Sequence, residues 1–280
     1  MTWFSIALLA GLLFSVSRTF SRFALRKAGD YFVYTIIHDF IAGLIILPLI
    51  FIGLHWPTQS ITWLYFILTM VSLYLTDVFT FKALQFGDVS TYQIVTQVRN
   101  VFILFFGLII FGEQITIYKL LAVLLIIIGA TIALREKSKI HFNKAVYYTI
   151  IASFFVAVGL TISKLTLRDF SPFAFASLSL MGGSLLGLMS IKFDSKKIIR
   201  ELAVNKWLLI LTGGIFGFYE FCQFLATKLG EVSRVTPVLQ SSLVFTVLMG
   251  IFLLGEKQHF WQKILGTIII IGGILMLNYL

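Results

Sequence analysis

The 280-residue chain is 59% hydrophobic and 12% charged, carries 29 Phe, and has a formal net charge of +10. A soluble domain holds roughly 25% charged residues, so this composition excludes a water-soluble globular protein and implies a polytopic membrane protein. The Lys and Arg fall in short segments between apolar runs, as in cytoplasm-facing loops, which argues against nucleic acid as the partner of the positive charge.

The opening stretch MTWFSIALLAGLLFSVSR lacks the basic start and small-residue cleavage site of a secretory signal, and reads as the first membrane helix. A membrane span needs about 20 mostly apolar residues. That length predicts ten helices, at 3–25, 31–53, 61–83, 90–111, 115–134, 145–167, 172–192, 206–227, 235–254 and 260–280. Most connections are short. Two are longer and basic, REKSKIHFNK at 135–144 and KFDSKKIIRELAVNK at 192–206. The single cysteine, Cys222, lies in an apolar run, so no intramolecular disulfide can form.

Two stretches in this series nearly repeat: GEQITIYKLLAVLLIIIGATIAL at 112–134 and GEKQHFWQKILGTIIIIGGILML at 255–277. Sliding the chain by 143 residues lays 78–134 on 221–277 with 17 identities in 57 positions. Chance explains matches between Leu/Ile/Phe-rich helices. It does not explain Gly87/Gly230, Gln97/Gln240, Gly107/Gly250, Gly112/Gly255, Glu113/Glu256 and Gly129/Gly272 kept in one register over three helices. Internal duplication follows. With one residue of adjustment the first helices also match, through Thr19/Thr161, Ser21/Ser163 and Arg22/Lys164. Each half therefore holds five spans. Because five is odd, the second copy enters the membrane upside down, giving an all-α fold of ten transmembrane helices in two inverted five-helix repeats. That architecture belongs to secondary transporters.

On these halves, each ending in a Gly-Glu pair (FGE at 111–113, LGE at 254–256) before a Gly-containing last helix, the chain resembles the drug/metabolite transporter superfamily in its ten-helix EamA-like branch. The resemblance covers essentially the whole length and implies two EamA-like repeats, 1–136 and 141–280. Where the family often has a proline before the Gly-Glu pair, this chain has Asn100 and Leu243, with Pro237 nearby; His38-Asp39 replaces a basic residue of the second helix. Loop charges give the orientation. The loop GLHWPTQS has no Lys or Arg, whereas its repeat counterpart carries Lys192, Lys196, Lys197, Arg200 and Lys206. Arg26, Lys27, Arg135, Lys137, Lys139 and Lys257 add to that basic side. The charges place both termini outside the cytoplasm, on an inner-membrane protein; the resemblance implies termini inside, and the charges are given precedence.

Ionisable groups within spans cost about 2.5–3.5 kcal/mol each on insertion scales and normally face a partner or a water-filled cavity. Arg18, Asp39, Asp77 and Gln97 come from four spans yet fall at similar depth, with Gln93, Arg99 and Asn100 close by. The repeat offset carries Asp77 to Glu220 and Gln97 to Gln240, so two polar layers are expected to bracket a central cavity. Arg18 maps on Leu160. Its lack of a basic counterpart marks it for substrate or gate, or else for pairing with Asp39 or Asp77. His38 is a proton-relay candidate or a satisfied hydrogen-bonding group. Tyr74, Tyr92, Tyr219 and Trp63 are candidates for cavity lining or for packing, and Lys164 for snorkelling. Glu113 and Glu256 are placed to cap the final helix of each half. The nearly apolar spans five and ten read as a scaffold whose small residues Gly129, Ala130, Gly272 and Gly273 permit close approach.

These features predict an alternating-access secondary transporter for a small polar or amphipathic metabolite, amino-acid-like or nucleotide-like. A proton or other coupling ion is a possible partner, and a monomer suffices. The alternative is an ion-coupled exporter of lipophilic cations using Asp77 and Glu220; a lipid flippase subunit ranks lower. The four His (His38, His55, His141, His259) form no HExxH, and there is no phosphate-cradling Gly loop, so no enzyme, metal or cofactor is expected.

Overall fold

In hydrocarbon every backbone N–H and C=O must be satisfied within the protein, and the apolar stretches achieve this as α-helices. The computed structural model describes residues 2–25, 30–51, 55–86, 89–134, 143–252 and 260–278. Its helices are α1 (Trp3–Leu25), α2 (Tyr31–Ile46), α3 (Ser60–Phe86), α4 (Val89–Val95), α5 (Val98–Phe111) and α6 (Ile117–Leu134), followed by α7 (Lys144–Thr166), α8 (Pro172–Ser190), α9 (Ser195–Leu229), α10 (Val232–Leu239), α11 (Ser241–Phe252) and α12 (Phe260–Asn278). A 3-10 turn, Leu47–Phe51, prolongs α2 where Pro48 removes a backbone donor. α4 with α5, and α10 with α11, each make one span, so ten spans stand among the described residues, as predicted. The second Gly-Glu pair, Gly87, the expected repeat boundary at 136–141, His141, His259, Arg26, Lys27, Arg135, Lys137, Lys139, Lys257 and the side chains of Arg22 and Ser90 lie outside the described residues.

One predicted connection is corrected. The basic stretch 192–206 is mostly helix: after a turn in which Lys192 and Phe193 take left-handed φ of 53° and 51°, α9 begins at Ser195. Asp194 caps it, accepting the Lys196 and Lys197 N–H groups at 3.1 and 3.3 Å. Glu201, Asn205 and Leu209 recur at helical spacing and are buried, with Asn205 Nδ2 donating to Glu201 Oε1 at 2.7 Å. That period is the reason a charged stretch stays helical beyond the apolar span.

The helix neighbours obey a two-fold rule. α1 packs along α9 as its counterpart α7 packs along α3; α2 meets α9 as α8 meets α3; α2–α8 and α6–α12 are self-paired. With an odd number of spans per half, the axis relating them lies in the membrane plane. The start of α1 and the end of α12 then share one face with the connections at 55–59, 112–116, 167–171 and 230–231. The basic start of α9 lies on the other.

Without a hydrophobic force between helices in lipid, close approach depends on small residues and internal hydrogen bonds. Thr149, Ser153 and Thr161 donate to carbonyls four residues back, at 2.7–2.8 Å. Ser17 and Ser177 instead join helices, to Thr212 O at 3.0 Å and Gly43 O at 2.8 Å. Between α6 and α12, Gly129 and Gly273 make the expected close approach and Gly266 joins them, all three facing backbone of the opposing helix, whereas Gly272 faces open space.

Candidate functional site

A cavity of about 200 Å³ lies among α1, α2, α3, α4, α5, α7, α8 and α9. Helical spacing selects its lining. Phe14 and Arg18 are one turn apart on α1; Tyr31, Thr35 and Asp39 occupy one face of α2; Leu73, Thr76, Asp77 and Thr80 follow on α3, and Phe216, Tyr219, Glu220 and Gln223 on α9. The wall obeys the repeat. Phe14/Val156 and Arg18/Leu160 are equivalent positions, as are Leu73/Phe216, Thr76/Tyr219, Asp77/Glu220 and Thr80/Gln223, and every member lines the cavity. The pseudo-two-fold axis therefore passes through it. Shape is shared between the halves, but charge is not: Asp77 recurs as Glu220, while Asp39 has no acidic equivalent, Arg18 corresponds to Leu160, and the counterpart of Arg99, Ser242, lies outside the lining.

Five sequence-predicted residues meet here: Arg18, Asp39, Asp77, Arg99 and Glu220. Arg18 rests between aromatic faces, its Cζ 5.1 Å from the Phe14 ring centroid and 5.7 Å from that of Phe216, a favourable cation–π setting. Its acidic neighbours are Asp39 and Asp77. Arg99 faces Tyr92 and Tyr219 instead. Among the described residues no carboxylate lies in ion-pair range of either guanidinium, and Arg99 Nε is buried without a hydrogen-bond partner. Tyr219 Oη donates to Gln223 Oε1, and Gln223 Nε2 donates to Glu220 Oε2 at 3.2 Å, fixing the acid on the α9 wall.

The other five predicted residues stand behind the wall. His38 is buried, with Nδ1 2.8 Å from Asp39 Oδ1 and its ring against Tyr34 and Phe216, so it orients Asp39. Gln97 and Gln240, 143 residues apart, mark the breaks between α4 and α5 and between α10 and α11. Gln97 Nε2 donates to Gln93 O at 3.1 Å and Asn100 Nδ2 to Gln97 Oε1 at 3.3 Å, which pins the first break; Gln240 Nε2 is buried and unpartnered. Span nine contributes no lining residue, although the sequence predicts Gln240 in a polar layer of the cavity. Tyr74, Tyr92 and Tyr219 do line the cavity, while Trp63 packs on Trp56 and Phe170. Missed by the sequence reading were Tyr31 and Thr35, eight and four residues before Asp39, and Gln223, three after Glu220. A helical-face count from the acids finds all three.

The lining is displaced from the terminal face, reaching Tyr31 and Phe32 at the start of α2 and Phe81 near the end of α3. The terminal face is bolted instead. Gly112, left-handed at φ 65°, closes α5, and the turn carries Glu113 across to the other half. There the carboxylate accepts the Val232 and Ser233 N–H groups at 2.9 and 3.1 Å, the Ser233 hydroxyl, and Lys164 Nζ at 3.1 Å. The expected cap on α6 is thus corrected: Glu113 caps α10 in the opposite repeat, and Thr116 Oγ1 serves α6. Lys164 pairs with it and does not simply snorkel. Burial works to raise the Glu113 pKa, but the Ser233 bonds and Lys164 outweigh it and hold the carboxyl below its usual value. Beside it the buried Lys119 Nζ donates to Glu231 Oε2 at 2.7 Å and Ser233 Oγ at 3.0 Å. On the same face Asp169 accepts the Thr58 and Gln59 N–H groups at 2.8 and 3.2 Å.

The model of the EamA-like transporter family matches this chain twice, over residues 1–135 and 143–279. The chain belongs to the EamA-like transporter family. This EamA-like transporter family member is therefore a multi-pass membrane protein of the drug/metabolite transporter superfamily, with ten candidate spans among the described residues. It is 36% identical over 78 residues to an uncharacterized transporter in the cobO 3' region of Sinorhizobium sp.; that alignment covers 28% of this chain and 55% of the relative. A solved structure described only as the crystal structure of a protein shares its fold, with a TM-score of 0.78 at 16% identity over 98% of this chain and 95% of that one.

Proposed function

We propose that this transporter carries a small anionic or zwitterionic metabolite, amino-acid-like or nucleotide-like, by alternating access through the cavity. The observation that carries the reading is Arg99: a guanidinium in a span-depth cavity, with no carboxylate partner among the described residues. Leaving a buried charge unpaired is costly, and a carboxylate or phosphate on the substrate supplies the missing partner bidentately. Arg18, held between the Phe14 and Phe216 rings with Asp39 and Asp77 in the same cavity, shapes the field around it. Asp77 and Glu220, equivalent across the axis, are the groups proposed to exchange a coupling proton or other ion. Gln97 with Asn100 and Gln240 mark the breaks about which spans four and nine bend, and Glu113 bolts the closed face. One chain contains both halves of this machinery, which supports a monomeric carrier. The basic start of α9 supports a cytoplasmic-membrane orientation with extracytoplasmic termini.

A second reading has its own observation: three carboxylates, Asp39, Asp77 and Glu220, face two guanidiniums, which suits export of a lipophilic cation. A metabolite-library thermal-shift screen on purified protein separates the two, because a ligand that binds only the folded state raises apparent stability. Anionic or zwitterionic metabolites should stabilise the wild type, and Arg99→Ala should weaken the leading hit roughly 10- to 150-fold. Proteoliposome flux of that hit follows. Stabilisation by hydrophobic cations alone, equal in wild type and Arg99→Ala, would overturn the metabolite reading in favour of the cation exporter.

A further inference from the structure

Glycine inside a helix is the weakest helix former after proline, so each one needs a reason. On α8 two reasons are plain: a Cβ on Gly182 would strike the Met70 side chain, and one on Gly187 would meet Ile36 Cγ1 at 2.6 Å. Gly183 has neither packing nor backbone geometry to justify it. A Cβ there meets nothing within 4 Å, its φ is not left-handed, and the residue lines the cavity near the middle of α8. Its neighbour Ser184 also lines the cavity, is 3% exposed, and has no hydrogen-bond partner for Oγ. The serine that ends the same helix, Ser190, satisfies its hydroxyl on carbonyls three and four residues back, at 2.8 and 3.1 Å. A buried hydroxyl left unmade is a cost that a ligand atom can relieve.

We propose that Gly183 and Ser184 form a specificity subsite for the uncharged body of the substrate. The bare backbone at Gly183 admits the girth of that body, and Ser184 Oγ hydrogen-bonds one oxygen or nitrogen on it. The proposal rests on reading the cavity as the substrate site. It names a substrate whose charged end lies at Arg99 and whose body is a branched chain or ring bearing a hydroxyl, carbonyl or amine.

Two measurements decide it. In a Cys222→Ala background, which removes the only cysteine of the chain, Gly183→Cys should react with both methyl and benzyl methanethiosulfonate. Gly187→Cys, set against Ile36, should react at least tenfold more slowly. In proteoliposomes loaded with L-alanine, L-valine, L-threonine or L-phenylalanine, Gly183→Leu should depress phenylalanine flux relative to alanine by about tenfold or more, the scale of added methylenes in an apolar pocket. Gly183→Ala, a single carbon placed in open space, should fold as the wild type and give an intermediate loss. Ser184→Ala should lower threonine flux and spare valine, its isostere. A folded Gly183→Cys protein inert to both reagents, or a size ladder unchanged in Gly183→Leu, overturns the subsite. Labelling at Gly183→Cys with no wild-type flux of any of these amino acids or of a nucleoside monophosphate overturns the substrate reading on which it stands.

Discussion

Glu113 shows how one side chain joins two halves of a chain. It is 6% exposed, lies between spans, and satisfies donors on α7 and α10 that belong to the other repeat. Removing one partner from such a buried arrangement strands the other, at a cost of about 3 kcal/mol. Glu113→Gln should therefore lower the melting temperature measurably, while Lys119→Met, next to it, tests whether the neighbouring Glu231 pair adds to the bolt. The pH dependence has a definite sign. Because the folded-state pKa of Glu113 lies below its ordinary 4.5, its contribution is full above that value and is lost as pH falls through the depressed one. Asp169 behaves alike: N–H bonds from Gln59 and Thr58 and the nearby His55 hold its carboxyl below its usual value. An acid titration of unfolding should therefore show stability dropping below about pH 4.5, with a shallower drop in Glu113→Gln.

At the scale of elements, the repeated Gly-Glu pair acquires a physical meaning in its first copy. Gly112 supplies the left-handed residue that stops α5, and Glu113 uses the turn to reach α10. Gly112→Ala should cost about 1 kcal/mol through the left-handed backbone alone, visible as a lowered melting temperature with ligand binding retained. Gly107 takes part for a different reason: a Cβ there would meet Glu113 Oε2 at 2.7 Å. The α6–α12 pair is equally sensitive, since a Cβ on Gly273 would approach Ala122 O at 2.7 Å. Gly273→Leu should therefore destabilise by about 3 kcal/mol without touching the cavity, whereas the same change at Gly272, which faces open space, should be nearly neutral. Hydropathy made all ten spans legible, and the repeat offset singled out Gln97 and Gln240; only coordinates reveal these as helix breaks, because a break leaves the apolar pattern intact. The helical start of α9 was legible too, in the spacing of Ile198, Glu201, Asn205 and Leu209, but its charge masks the period.

For the molecule as a whole, the duplication built the cavity. Asp77 and Glu220 were readable as partners from a shift of 143 residues, and both line the cavity. The partner of Glu113 was not readable, since a contact between residues 113 and 232 obeys no local period and joins halves that the repeat treats as separate. His38, Gln97 and Asn100 have side-chain or backbone partners behind the wall, Gln240 stands at a helix break, and Gln93 contributes its backbone carbonyl, a distinction that depth in a span does not reveal. With the terminal face bolted and the lining shifted away from it, Thr35→Cys in a Cys222→Ala background should react with an impermeant thiol reagent applied from the face bearing Lys196 and Lys197. Equal labelling from both sides of sealed vesicles would contradict a closed terminal face.

The unequal charge of an otherwise two-fold cavity has an electrical consequence. Three acids and two guanidiniums sit within the field of an energised membrane, where each elementary charge carried across is worth about 2.3 kcal/mol per 100 mV. On the function proposed above, an anion seated at Arg99 would change the number of charges that rocking of the halves displaces. Empty and loaded carriers would then answer to voltage differently, and the membrane potential itself would set which direction of turnover is fast.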